Sequence, residues 1–168
     1  GGSVRMPAAF CGIAGLKPTY GRVSRAGVLD LSWSMDHVGP MTRTSEDCAL
    51  MMNVLAGHDS RDPSSSSNSV KDFTSEIGKG LDGLKIGIPS HYFFDEFVDS
   101  EVLMSVCSAV NLLEANGAEV LELSMPWVGK GRPINFGLLL PEAVSIHEKM
   151  IAEHADLYTP AVRARVQS

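Results

Sequence analysis

Apolar residues recur at helical spacing in several parts of the chain and gather at strand length in two others. Between residues 45 and 56, Ala49, Met52, Val54, Leu55 and Ala56 form an apolar stripe, and Gly57 stops the helix they predict. Thr44-Ser45-Glu46-Asp47 precedes it with a hydroxyl at the N-cap position and an acid three residues on, a pattern that satisfies free amide donors at a helix start. Residues 84–88 read as a strand that Pro89 ends. Asp99 then caps a helix carrying Val102, Val106, Ala109, Val110 and Leu113, Asn116-Gly117 closes it, and residues 118–123 alternate toward a second strand. Strand, helix and strand in that order predict a right-handed crossover, two parallel strands, and a valine face packed on the sheet. Pro141 suits the first turn of a further helix and Glu142 its positive end, with Leu140, Ala143, Val144, His147, Met150 and Ile151 as the apolar stripe. Thr159-Pro160 opens a last helix.

The stretches between these segments have no period. Residues 8–16 are apolar but broken by Gly12 and Gly15, which predicts a buried turn and short helix leading to an extended Leu16-Lys17 before Pro18. Residues 22–43 hold short apolar pieces between Gly27, Gly39 and Pro40 and read as irregular structure lining a site. Residues 59–69 contain no apolar side chain and predict an exposed surface loop. Residues 125–135 are turn-rich, with Trp127 as their bulky anchor. The fold class that follows is α/β: part of a mixed, mostly parallel sheet covered by helices. We read one partial domain over 1–168, organised as 1–58, the loop 59–83, the strand-helix-strand unit 84–123, and a helical part 124–168.

Composition narrows the function classes. With 168 residues, 44% apolar and 20% charged, the chain is expected to bury a core as a soluble globular protein. A net charge of −6, with 14 scattered Lys and Arg, argues against direct nucleic-acid binding, which needs clustered cations. A small-molecule partner is the expectation. Cys11, Cys48 and Cys107 are odd in number and set among apolar residues, so they read as free thiols packed as small hydrophobes in a reducing compartment. No apolar run approaches the roughly 18 residues a bilayer span needs, and no basic stretch leads into an apolar one. The visible chain has a cytoplasmic character.

Several local patterns compete as the chemical centre. Gly78-Lys79-Gly80-Leu81-Asp82-Gly83 matches the spacing of a dinucleotide loop, but its glycines precede a strand instead of joining strand to helix. Gly12 to Thr19 resembles a phosphate loop less well, because Pro18 follows Lys17 where a hydroxyl residue should begin a helix. His147 and His154 stand seven apart, not the four that seat two imidazoles on one zinc, so no metal is expected and no cofactor. Gly1-Gly2-Ser3 offers more. A serine attacks a carbonyl only when something takes its proton and something steadies the oxyanion, and glycine backbone N–H groups can face that oxygen. Gly-Gly-Ser alone also has the composition of a flexible linker.

The residues that follow separate the two readings. The run from Ser3-Val4-Arg5-Met6-Pro7-Ala8-Ala9-Phe10-Cys11-Gly12 to Tyr20-Gly21-Arg22-Val23-Ser24, continued by Ser34-Met35-Asp36-His37-Val38-Gly39-Pro40-Met41-Thr42-Arg43-Thr44-Ser45-Glu46-Asp47, resembles the amidase signature family over roughly the first third of the chain. The resemblance implies that Ser3 is the nucleophile of an acyl-enzyme and that backbone N–H groups of Gly1 and Gly2 form its oxyanion hole. It also implies activation by a second serine and a lysine upstream of Ser3, so the chain reads as an internal fragment, inactive by itself. Arg5 and Asp36 are expected to support the site, Arg5 by pairing with an acid or binding a substrate carboxylate. His37 is expected to be structural, since the family's relay runs through serine and lysine. The implied activity is hydrolysis of a linear amide to acid and ammonia or amine. The alternatives are the amidase subunit of a tRNA-dependent amidotransferase, working with partner subunits, a urea-type hydrolase of the allophanate or biuret kind, and an inactive binding relative. A homodimer is compatible with each. Glu142-Ala143 continues as Val144-Ser145-Ile146-His147-Glu148, without the Ser-Ser-Asn-rich segment of the amidotransferase branch, and this favours the stand-alone amidase.

Overall fold

The computed structural model of this chain describes residues 2–89, 91–94 and 98–167. They form two compact units, residues 1–77 with 136–168 and residues 78–135. The first holds most of the buried apolar side chains and every candidate site residue.

That unit begins with helix α1 (Gly2–Phe10), which buries Val4 and Ala8, a pair one turn apart on one face. Strand β1 (Ala14–Gly15) runs beside it and pairs antiparallel with β2 (Met41–Thr42). Gly15 is what allows the approach: a Cβ there would lie 2.6 Å from the Ala8 Cβ and 3.0 Å from the Val4 carbonyl oxygen. The short helix expected within 8–16 therefore starts earlier, at Gly2, and Phe10 at its end is 90% exposed. Helix α2 (Ser45–Leu55) has the N-cap expected, with the Thr44 hydroxyl accepting from the Asp47 amide at 3.0 Å. Its buried face is Cys48 and Met52, while Val54, counted in the expected stripe, is exposed. Thr42 Oγ1 lies 3.0 Å from Cys48 Sγ and ties α2 to β2.

The 59–69 loop departs from expectation. Polar composition predicts exposure, yet Asp62 is only 4% exposed. Its carboxylate accepts from the Arg25 amide at 2.8 Å, the Ser64 amide at 2.8 Å and the Ser64 hydroxyl at 2.6 Å, so burial leaves no oxygen without donors. The Arg25 guanidinium, stacked 5.4 Å from the Tyr20 ring centroid, donates to Ser64 and Asp30. The Ser66 amide donates to the Gly21 carbonyl at 2.8 Å, and a Cβ on Gly21 would strike the Ser64 carbonyl oxygen. The Ser64 hydroxyl first, then the Arg25 amide, holds the Asp62 carboxyl below its ordinary range. A loop without apolar residues is thus fixed by hydrogen bonds to residues 21–25.

Helix α4 (Gly131–His154) begins ten residues before Pro141, so the proline sits mid-helix and not in a first turn. It leaves one carbonyl of the preceding turn without its usual donor. The turn-rich reading of 125–135 is likewise corrected: a 3₁₀ turn (Val128–Lys130) leads straight into α4, and Trp127 is 61% exposed, anchoring nothing. From Phe136 onward α4 belongs to the first unit, where it buries Ala143, His147 and Ile151 from the predicted stripe. Helix α5 (Pro160–Gln167) follows Thr159, whose hydroxyl accepts weakly from the Val162 amide at 3.4 Å.

The second unit is the strand-helix-strand segment. Strand β3 (Lys85–Pro89) pairs parallel with β4 (Glu119–Leu123), Lys85 opposite Glu119 and Pro89 opposite Leu123. Helix α3 (Ser100–Ala115) joins them, with Asp99 accepting from the Glu101 amide and Gly117 at φ +100 closing it, as the sequence predicts. The predicted apolar face packs only in part, with Val110 and Leu113 half-buried. Val102 is 55% exposed and α3 has no buried residue, since two strands offer too little surface to cover it. Cys48 is buried, whereas Cys11 and Cys107 are exposed, which corrects the reading of all three as core thiols. Among the described residues no helix is long and apolar enough to cross a membrane.

Asp62→Ala would strip two backbone amides and a hydroxyl of a buried acceptor. We expect it to lower the unfolding free energy by about 1–3 kcal/mol, measured by urea denaturation of the full-length protein.

Candidate active site

Ser3 occupies the first turn of α1 and its side chain is exposed. Helix geometry explains its surroundings. The first amides of a helix have no intrahelical acceptor, so the N–H groups of Gly2, Ser3 and Val4 gather at the positive end of the α1 dipole. The apolar pair Val4 and Ala8 turns inward against β1 and leaves Ser3 on the outer side. Pro7 lies inside α1 and has no N–H, so the Ser3 carbonyl lacks its normal donor four residues on. Gly1, the other residue of the sequence-derived oxyanion hole, lies outside the described residues. The Gly2 backbone is half-buried, and a Cβ on it would stand 3.0 Å from the Met6 Cε.

The other candidates have different surroundings. Arg5 is exposed on α1. Asp36 accepts from the Leu31 amide at 2.6 Å and the Ser32 amide at 3.0 Å, so its carboxylate pins the turn that leads to it. Among the described residues no hydrogen bond joins Ser3, Arg5 and Asp36. His37 donates from Nδ1 to the Met35 carbonyl at 2.7 Å and meets Tyr20 edge-on at 5.5 Å. Burial lowers its pKa, with the Met35 carbonyl opposing that shift. His147 Nδ1 lies 2.8 Å from the Tyr158 hydroxyl and serves as a link along the α4–α5 segment. No group of three His, Cys, Asp or Glu side chains among the described residues is placed to hold a metal ion.

One cluster has no counterpart in the sequence reading. Glu142, expected at a helix start, sits mid-helix in α4 and reaches the 32–34 turn. Its Oε2 accepts from the Ser32 hydroxyl at 2.7 Å and the Ser34 amide at 3.1 Å, and its Oε1 accepts from the Ser34 hydroxyl at 2.5 Å. The Ser32 hydroxyl first, then that of Ser34, holds the Glu142 carboxyl below its ordinary range. The partners are 108 and 110 residues apart, so no local signal announces the contact.

Comparison with known proteins fits this geometry into a family. The family model described as Amidase matches residues 1–167. An amidase of Pseudomonas putida is 48% identical over 164 residues, covering 97% of this chain and 35% of its own length. A glutamyl-tRNA(Gln) amidotransferase subunit of Chromohalobacter salexigens is 48% identical over 145 residues, 86% of this chain and 30% of its own. A crystal structure of an amidase superposes with a TM-score of 0.78 at 35% identity, covering 99% of this chain and 34% of the other. The chain spans about a third of the length of the curated relatives it matches.

Two outcomes follow from this geometry. Gly15→Ala places a methyl against Ala8, and we expect overpacking to cost about 1–3 kcal/mol of stability in denaturant unfolding. Glu142 contributes stability that is full above its unfolded pKa near 4.5 and fades as pH falls through its lower folded value. In acid titration of stability, Glu142→Gln is expected to flatten that part of the wild-type decline.

Proposed function

The chain belongs to the amidase signature family, and from that premise we propose that the full-length protein hydrolyses a carboxylic amide through an acyl-enzyme on Ser3. The observation that carries this reading is the exposed Ser3 hydroxyl in the first turn of α1, beside helix amides that have no intrahelical acceptor. Such amides favour an oxygen that gains negative charge in the transition state more than the ground-state carbonyl, which is what accelerates the step.

In this mechanism Ser3 Oγ attacks the amide carbon while its proton passes to a second serine and a neutral lysine, which the reading assigns to the remainder of the protein. The carbonyl oxygen becomes an oxyanion held by the Gly1 and Gly2 amides. Collapse breaks the C–N bond, and the relay returns the proton to the leaving nitrogen. Water then attacks the Ser3 ester, releases the acid and restores the hydroxyl. Arg5 and Asp36 support the site from outside the reacting atoms, Asp36 by fixing the turn at residues 31–36.

A second reading, the amidase subunit of a tRNA-dependent amidotransferase, draws on the amidotransferase relative at 48% identity. The stand-alone amidase is preferred because the amidase relative runs alongside 97% of the chain against 86%, and because residues 144–148 lack the Ser-Ser-Asn-rich segment. Ser3→Ala is expected to lower kcat for ammonia release from simple amides by at least about 10³-fold. Unchanged hydrolysis in that variant would overturn the reading. Glutamine-dependent amidation of charged tRNA that requires added subunits would transfer it to the second.

A further inference from the structure

We propose that Glu142 is a positioning residue for the Ser3 helix: its carboxylate clamps the 32–34 turn, and the chain leading out of that turn becomes β2, which pairs with the strand β1 against which α1 is seated. The proposal rests on the amidase reading for the role of Ser3, but the clamp itself stands on geometry alone.

Three donors of one turn converge on this carboxylate. Ser32 is 0% exposed, and its hydroxyl donates to Glu142 Oε2. Ser34 donates through both hydroxyl and amide. Four further amides of the turn are held from the inside, those of Leu31 and Ser32 by the Asp36 carboxylate, and those of Met35 and Asp36 by the Ser32 carbonyl at 3.1 and 2.9 Å. Asp36 therefore shapes the turn, and Glu142 fixes where the shaped turn stands. Replacing Glu142 would leave a fully buried hydroxyl without this acceptor, which costs more than the lost bond itself.

From the turn the backbone runs a short way to β2. The Pro40 carbonyl accepts from the Leu16 amide at 3.0 Å, Met41 and Thr42 pair with Gly15 and Ala14, and a Cβ on Gly39 would strike the Leu16 carbonyl oxygen. Gly15 in turn admits Ala8 of α1 with no room for a side chain between them. Each joint is a close backbone contact or a hydrogen bond, so a shift of the turn has little slack to absorb it before it reaches α1. Catalytic rates respond to nucleophile placement on the scale of an ångström, so a small displacement is enough to register.

The test uses the full-length protein with Trp127→Phe, which leaves Trp33 in the clamped turn as the tryptophan reporter from this chain, and follows Ser3 labelling by a fluorophosphonate. Glu142→Gln is expected to slow labelling about tenfold at an undiminished final labelled fraction, and to raise acrylamide quenching of Trp33. Ser32→Ala is expected to act in the same direction, and the double variant to be little slower than Glu142→Gln, because both remove one shared bond. A labelling rate within about twofold of wild type, or additive losses in the double variant, overturns the proposal. So does a lower labelled fraction at the wild-type rate, which reports lost folded protein instead of a displaced helix. If wild type itself is not labelled at Ser3, the amidase reading fails, and unchanged Trp33 quenching in Glu142→Gln then overturns the clamp independently.

Discussion

A methyl group on residue 15 would stand 2.6 Å from the Ala8 Cβ, closer than two carbons can pack, and the arrangement of the first unit depends on that group being absent. Because Gly15 carries none, β1 can run directly against the face of α1 that buries Val4 and Ala8. The helix is thereby held by its inner side, and Ser3, one residue before Val4, faces outward at the end of α1 where amides lack acceptors. Seating and exposure are two results of one close contact. Pro7 follows the same logic, since a residue without an N–H is tolerated in so short a helix and frees the carbonyl of Ser3 itself.

Polar contacts do much of the remaining work in this unit, because its buried apolar set is small. Asp62, Asp36 and Glu142 each gather amides or hydroxyls from a segment outside helix and strand. Each carboxylate accepts two or three hydrogen bonds, the condition under which a carboxylate near the interior is tolerated. Asp62 fastens its loop to residues 21–25, Asp36 shapes the 31–36 turn, and Glu142 joins that turn to α4. Irregular segments are held here by acceptors matched to their free donors, not by secondary structure.

What was legible in the sequence was local. The Thr44 cap, the Asp99 cap, the Gly117 stop and the parallel pairing of β3 with β4 each depend on residues within one element or one crossover, so spacing alone revealed them. The run after Ser3 made the first helix and its surroundings recognisable as resembling the amidase signature family. The failures were equally specific. Pro141 looked like a helix start because a proline is usually excluded from an interior, yet apolar residues on both sides carry α4 through it. Residues 59–69 looked like free loop because hydropathy cannot register burial through hydrogen bonding. The valine face of α3 had the right period, but burial needs a surface wide enough to receive it.

The sequence by itself determined the helices and strands marked by caps, stops and periodicity, namely α2, α3, β3, β4 and the start of α5, and which serine the family resemblance singles out, because capping, turn chemistry and periodicity act over a few neighbouring residues. Only the tertiary structure decided what those elements do together: that Gly15 seats α1, that Asp62 is buried among serines, and that Glu142 reaches back 108 and 110 residues to Ser34 and Ser32. Contacts between residues so far apart depend on how the intervening chain closes. That closure is set by the summed packing of all the elements, and no single stretch of sequence encodes it.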